Sequence, residues 1–304
     1  MLKITRNLIL SASKVYLGFI FFSVLQAQEI RFASWNIEHL AEENGAGCIP
    51  RHDSDYVKLK KFALSLNADV MALQEVENIE AVARVFPRNN WNIILSERPA
   101  SKTYSCRNSG FESTQQRVAI VIRKDLSYTS LGSFEELALN RDGLRYGVQI
   151  RIFGEKDSVD VMAVHLKSGC FIDDFSSSER SSCKVLEKQV PVLDKWIETN
   201  VLNNRKFILL GDFNHRLANG NNKMWNIFSE INGAPLEIRN SMQNLTGCHP
   251  RYPAPIDHIL MGPHAYRLKK AGSEAVHYFP HKSKEMSEDD MLSDHCPISV
   301  VLKI

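Results

Sequence analysis

Short runs with the composition of β-strands recur from residue 30 to residue 302, and they limit the fold more than any other feature. They are IRFASW (30–35), ADVMALQ (68–74), WNIIL (91–95), RVAIVIR (117–123), YGVQIRIF (146–153), SVDVMAVHL (158–166), KFILLG (206–211), PIDHILMG (255–262) and HCPISVVL (295–302). Several alternate apolar with polar residues, as half-buried strands do, whereas MALQ and FILL are apolar throughout, as core strands are. Helical periodicity is rarer. Asp53 or Ser54 is placed to cap a helix over YVKLKKFALSL, with Val57, Leu59 or the Lys60 stem, Phe62, Ala63 and Leu66 as its face. A second helical pattern covers residues 184–202, where Pro191 predicts a kink or a break. Many strands with few interspersed helices predict an α/β domain of two packed sheets covered by helices. No internal repeat or long linker divides residues 28–304, which are read as one domain.

Residues 1–27 stand apart. Lys3, Arg6 and Lys14 precede the apolar run VYLGFIFFSVL, which closes on QAQ. This is the build of a cleavable secretory signal peptide, with cleavage after Ala27. Its apolar run is about half the ~20 residues that a membrane span needs. The segment holds three basic and no acidic residues, so its removal takes the formal net charge of +2 down by three to −1. Net charge therefore gives no support to nucleic-acid binding, and any basic groove must be local. A secreted or periplasmic monomer without stable membrane association is expected.

Six cysteines in an exported chain suggest disulfides, and six allow 15 full connectivities. Cys170 and Cys183 bracket the polar loop FIDDFSSSERSS and form the best pair. Cys48 with Cys106 is a weaker pairing between two polar loops. Cys296, beside Pro297 in an apolar run, suits a buried free thiol as well as a bridge. No C-x-x-C or H-x-x-x-H spacing supports a zinc site.

Polar groups recur at the ends of the apolar runs. Asn36 follows the first, with Glu38 and His39 behind it; Gln74-Glu75 closes the second; His165 and then Lys167 end another. Asp212-x-Asn214 follows FILLG in FILLGDFNHR, Asp257-His258 sits inside PIDHIL, and Ser293-Asp294-His295 opens the last run. One such group is an ordinary strand end reaching solvent, but an Asp inside an apolar strand is costly unless paired. His295 is the expected partner of Asp257. Glu75 and Asp294 are hard oxygen ligands of the kind Mg²⁺ or Mn²⁺ takes. A histidine held by Asp257 suits activation of water or stabilisation of a phosphoryl transition state. Asp212 would orient or deprotonate the water, with Asn214 and His165 donating to phosphate oxygens. Together these residues suit hydrolysis of a phosphate ester.

The set SWNIE, LQEVE, VHLKS, GDFN, IDHIL and SDHCPI, in this order, resembles the endonuclease/exonuclease/phosphatase superfamily that includes deoxyribonuclease I. The resemblance runs from about residue 30 to residue 302. It implies a four-layer sandwich of two mostly antiparallel β-sheets, packed face to face and flanked by helices. It further implies a metal site at Asn36, Glu75 and Asp294, filled by Mg²⁺ with Mn²⁺ or Ca²⁺ as alternatives. Catalytic roles fall to His165, Asp212, Asn214, Asp257 and His295, and phosphate contacts to Arg145, Asn214 and His165. One departure is notable. The deoxyribonuclease branch has a Glu just before the strand matching RVAIVIR, to orient its extra His; this chain reads QQR, leaving Gln116 as the candidate to orient His165.

The leading functional expectation is a secreted Mg²⁺-dependent nuclease with DNA, or RNA, as its substrate. Arg141, Arg145, Lys167, Arg216 and Arg251 could track phosphates. GDFNHR also resembles the GDxNxR of inositol polyphosphate 5-phosphatases, although His258 stands where those enzymes usually have Arg. An exported phosphoesterase for lipid head groups or inositol phosphates is therefore the alternative. An apolar aromatic hairpin would favour it; Trp225, Phe228, Tyr278 and Phe279 are the residues to watch, against a place in the core. A non-catalytic binding protein on the same fold is the third reading, opposed by the presence of every expected ligand.

Overall fold

A computed structural model describes residues 27–107, 109–251, 253–280, 287 and 291–304. The expected signal segment, Ala27 apart, lies outside the described residues.

Two six-stranded sheets carry the chain. The first runs, in spatial order, β13 (Ala275–Val276), β14 (Ile298–Lys303), β1 (Glu29–Leu40), β2 (Val70–Val76), β4 (Arg117–Arg123) and β3 (Trp91–Leu95). The second runs β11 (Arg239–Asn240), β12 (Asp257–Met261), β8 (Phe207–Asp212), β7 (Ser158–His165), β6 (Gly147–Phe153) and β5 (Ser127–Phe134). A two-stranded ribbon, β9 (Glu230–Ile231) with β10 (Ala234–Pro235), stands separately. Each large sheet has one parallel pair, β1–β2 in the first and β7–β8 in the second; the remaining pairs are antiparallel.

Strand periodicity sorts the side chains into layers. Ile30 and Phe32 of β1, Val70 and Ala72 of β2, Ile208 and Leu210 of β8 and Ile259 of β12 fill the space between the sheets. The alternate residues Ala33, Trp35, Met71 and Leu73 face outward, under α1 (Asp53–Ser65) and α2 (Ile79–Val85). Met162, Leu209 and Leu260 on the second sheet pack against α3 (Ser181–Leu202), with Met224 and Phe228 of α4 (Lys223–Phe228) in the same cluster. The short α5 (Pro263–Tyr266) follows β12. The result is the expected four-layer sandwich.

Local expectations need correction in several places. The cap of α1 is His52, whose backbone N–H donates to Asp55 Oδ2 at 3.1 Å. Tyr56, not Val57, starts the buried face, and Val57 is 66% exposed. Pro191 does not break α3, which runs through it. That proline lies on the exposed side of α3 while Leu186, Val190, Leu193 and Ile197 are buried on the other. Packing of this face outweighs the ~3 kcal/mol that an interior proline costs. The last strand begins at Ile298, so His295 sits on the loop before it. Cys296 is no free thiol: it bridges Cys248, alongside Cys48–Cys106 and Cys170–Cys183.

Candidate active site

The inward-facing stripe of each central strand is apolar until one end of the sandwich, where it turns polar. On β1, Ile30 and Phe32 give way to Ser34 and Asn36; on β2, Val70 and Ala72 give way to Gln74. On β7, Val161 and Ala163 lead to His165, and on β8, Ile208 and Leu210 lead to Asp212. On the antiparallel β12, Asp257 precedes Ile259, and it is paired in register with Asp212. Parallel β7 puts His165 in register with Asp212 on its other side. Sheet register thus delivers three polar side chains to one point on rigid backbone. Gly211 permits the close approach: a Cβ there would lie 2.0 Å from the Val164 carbonyl oxygen, and its φ is +147°.

Asp212 is the hub. Its Oδ2 accepts from Asn36 Nδ2 and Asn214 Nδ2, each at 3.1 Å, and its Oδ1 accepts from the Asn214 backbone N–H at 2.7 Å. The second Asn214 amide hydrogen goes to the Leu166 carbonyl at 3.1 Å. Asn214 reaches these partners from a left-handed conformation, φ +52°. His165 Nε2 and His295 Nε2 lie 3.5 and 3.9 Å from the same Asp212 Oδ2. Burial pushes the Asp212 carboxyl up to about 7, although His295 pulls it down. Burial alone would lower His295, but Asp257, Asp212 and Asp294 outweigh it and hold the ring well above its ordinary value. His165 moves the other way, well below its ordinary value, through burial and then the charges of Arg145 and His295. Two histidines beside one carboxylate thus differ in charge, as an imidazolium at His295 and a neutral ring at His165.

A group of carboxylates occupies the neighbouring wall. Glu75 sits at a bulge between β1 and β2 with φ +63°, and its Oε1 faces Asn36 Nδ2 at 3.5 Å. The Glu38 Oε2 accepts from the Asp294 backbone N–H at 3.0 Å. Glu38 is pushed up to about 7 by burial and then by Asp294, and Asp294 is raised by burial and by Glu75 and Asp257. Carboxylates crowded so that they repel one another's charge fit a divalent cation, which the hard oxygens of Glu75 and Asp294 would hold. Asp212, Asp257 and His295 also have ligating atoms within 4.8 Å of one another. There His295 Nδ1 is engaged by Asp257 Oδ2 at 2.6 Å, which leaves its Nε2 as the free ring nitrogen.

Gln116 does not reach His165, whose Nδ1 has no partner among the described residues. It joins Glu75 to Arg145 instead, and through it Arg145 is tied to the rest of the site. Burial, then Arg145 and Arg141, lower Lys167, so these three cations share one field beside His165. A cleft of about 460 Å³ opens from Asn214, Asp257, Asp294 and His295 toward Phe171 and Arg216. His215 is buried and structural, its Nε2 2.9 Å from the Ile172 carbonyl oxygen and its Nδ1 2.6 Å from Asn222 Nδ2. It anchors the loop that carries Phe171, 61% exposed at the cleft. Phe228 and Phe279 are core residues, Trp225 is half-buried, and only Tyr278 of the watched aromatics is exposed.

The sequence matches the Endonuclease/Exonuclease/phosphatase family over residues 33–295, and the chain belongs to that family. Its members are hydrolases of phosphoester bonds and are generally dependent on divalent metal. Solved structures agree on the fold. The human Nocturnin catalytic domain with bound sulfate is 13% identical, with 90% of this chain and 92% of that one covered, at a TM-score of 0.56. The 3′ phosphatase NExo of Neisseria bound to a product DNA hairpin is 16% identical, with 90% and 100% covered, at 0.56. A family protein of Bacteroides thetaiotaomicron is 16% identical, with 91% and 98% covered, at 0.54. No curated protein matches the sequence.

Proposed function

We propose that this chain is an exported, Mg²⁺-dependent nuclease that hydrolyses phosphodiesters of DNA or RNA by in-line attack of water. The observation that carries the chemistry is Asp212, a buried carboxyl raised to about 7 between two histidines and beside the Glu75–Asp294 carboxylates. A group titrating near neutrality can take a proton from water and release it again. Asn36 and Asn214 fix the Asp212 lone pairs, so Asn214 acts by positioning the base, its amide hydrogens being spent. His295, charged and held by Asp257, offsets the negative charge that develops on the phosphoryl oxygens. Neutral His165 faces the same group, and Arg145 with Lys167 binds the phosphate. Glu75 and Asp294, with Asn36 beside them, would hold a Mg²⁺ ion, which supplies Lewis-acid polarisation of a phosphoryl oxygen.

The NExo structure contains a DNA product, and the cationic wall of Arg141, Arg145 and Lys167 supports a polyanionic substrate here too. Export is supported by the sequence of residues 1–27 and by three disulfides. Among the described residues no helix is long and apolar enough to cross a membrane. Purified protein should be offered plasmid DNA, RNA, sphingomyelin and inositol phosphates, each with Mg²⁺ and with EDTA. Nicking of plasmid or loss of RNA, abolished by EDTA, is expected. Intact nucleic acids with release of phosphocholine or phosphate would replace the nuclease by the lipid or inositol phosphoesterase.

A further inference from the structure

We infer that Gln116 is a positioning residue that locks the metal-side carboxylate of Glu75 to the phosphate-side guanidinium of Arg145. The inference rests on the phosphodiesterase reading above and adds to it a residue expected to orient His165 instead. Gln116 Nε2 donates to Glu75 Oε2 at 2.9 Å, while its Oε1 accepts from an Arg145 Nη2 at 2.5 Å. The same amide nitrogen lies 3.1 Å from His39 Nε2, which can take its second hydrogen. Carboxylates only accept and guanidinium groups only donate, so these partners fix which end of the amide faces which. No other side chain of this length offers a donor and an acceptor back to back.

The arrangement matters because Gln116 gives Glu75 its shortest hydrogen bond, the His39 backbone N–H and Asn36 Nδ2 lying farther off at 3.3 and 3.5 Å. Glu75 stands at a bulge in a left-handed conformation, which costs on the order of 1–3 kcal/mol and persists only where the surroundings hold it. The Arg145 Nε is buried without a partner among the described residues, leaving the Gln116 contact to aim its guanidinium. A direct Glu75–Arg145 ion pair would neutralise the carboxylate and consume the phosphate donor. The amide holds the two charges apart while fixing both. Partners that orient metal ligands typically change metal affinity or activity by about 10–100-fold when removed.

The test compares Gln116→Met, Gln116→Glu and Glu75→Ala in the full chain, with thermal melting as the check on folding. Metal affinity is read by calorimetry with Mn²⁺ alone, and kcat and KM with bis(4-nitrophenyl) phosphate. Gln116→Met, equal in length but without hydrogen bonds, is expected to weaken Mn²⁺ binding by about 10–100-fold. Saturating Mn²⁺ should then restore kcat but not KM, because Arg145 stays unaimed. Gln116→Glu keeps the acceptor for Arg145 and loses the donor to Glu75. Its KM should stay within about twofold while its Mn²⁺ affinity changes by more than about fivefold. This split distinguishes positioning from general loss of structure. Mn²⁺ affinity and KM both within about twofold of wild type in Gln116→Met, while Glu75→Ala abolishes Mn²⁺ binding, would overturn the inference alone. Unchanged Mn²⁺ binding in Glu75→Ala would overturn the site reading, and the inference with it.

Discussion

His295 Nδ1 lies 2.6 Å from Asp257 Oδ2, although the two residues come from different sheets: Asp257 opens β12 and His295 precedes β14. The carboxylate both fixes the ring, leaving Nε2 toward Asp212, and makes the largest single contribution, ahead of Asp212 and Asp294, to keeping it charged. Asp257→Asn keeps the shape and removes the charge. The His295 ring should then titrate at lower pH, and the alkaline limb of the pH–rate profile should move down with it. Loss of the charged donor should lower kcat by about 10²–10⁴-fold. An unchanged alkaline limb in Asp257→Asn would assign that limb to another group.

Gly211 is the one position in the site strand where backbone geometry dictates the residue. A methyl group there meets the Val164 carbonyl oxygen at 2.0 Å, and that carbonyl belongs to the strand paired with β8. No side-chain rotation relieves a clash with paired backbone. Gly211→Ala should lower stability by about 3 kcal/mol or more, among the largest effects of single substitutions. Urea denaturation of the variant and wild type measures it, and a loss below about 1 kcal/mol would show that β7 and β8 can part locally.

Legibility in the sequence followed burial. FILLGD and SVDVMAVH could be read as strands because both lie in the packed interior and are apolar almost throughout. SYTSLGSF could not, since β5 is an edge strand with most side chains exposed and no apolar alternation. Motif residues at strand ends were legible because period-two alternation put them on the inner stripe. The role of Gln116 was not: its contacts depend on how the bulge at Glu75 turns that carboxylate, and no local pattern encodes a left-handed glutamate. The Cys248–Cys296 bridge was likewise hidden, because it needs two loops from opposite flanks of β12 and β13 to meet.

That bridge has a functional corollary. Cys296 follows His295 directly, and Cys248 shares the wall of the same cleft. Closing a loop with a separation of 48 residues is worth about 4 kcal/mol in the chain-entropy account. Cys248→Ala/Cys296→Ala should therefore melt at lower temperature. At a temperature where the variant remains folded, it should also lose activity more than Cys48→Ala/Cys106→Ala, whose bridge does not line that cleft. Equal activity of the two double variants would show that the His295 loop is held by its hydrogen bonds alone.

His258, adjacent to Asp257, sets an acid limit on the fold. Burial pushes its ring down to about 4, against the backbone contacts to His215 and Pro255 and the charge of Asp257, which favour the charged form. Its Nε2 lies 2.9 Å from the His215 carbonyl oxygen and 3.3 Å from the Leu217 backbone nitrogen, and its Nδ1 lies 3.2 Å from Asn240 Nδ2. The sign follows from the unfolded chain, where the ring takes up its proton near the ordinary 6.5. As pH falls below that value the unfolded state binds the proton first, so stability is full above pH 6.5 and is lost progressively until the folded ring titrates near 4. The total is about 3 kcal/mol. Urea unfolding of wild type between about pH 7.5 and pH 4 should show this decline, and His258→Gln, which cannot titrate, should show a decline smaller by about that amount. Equal pH dependence in the two proteins would place the acid sensitivity elsewhere in the buried set, with His165 and His215, whose rings burial also holds below their ordinary value, the next to test.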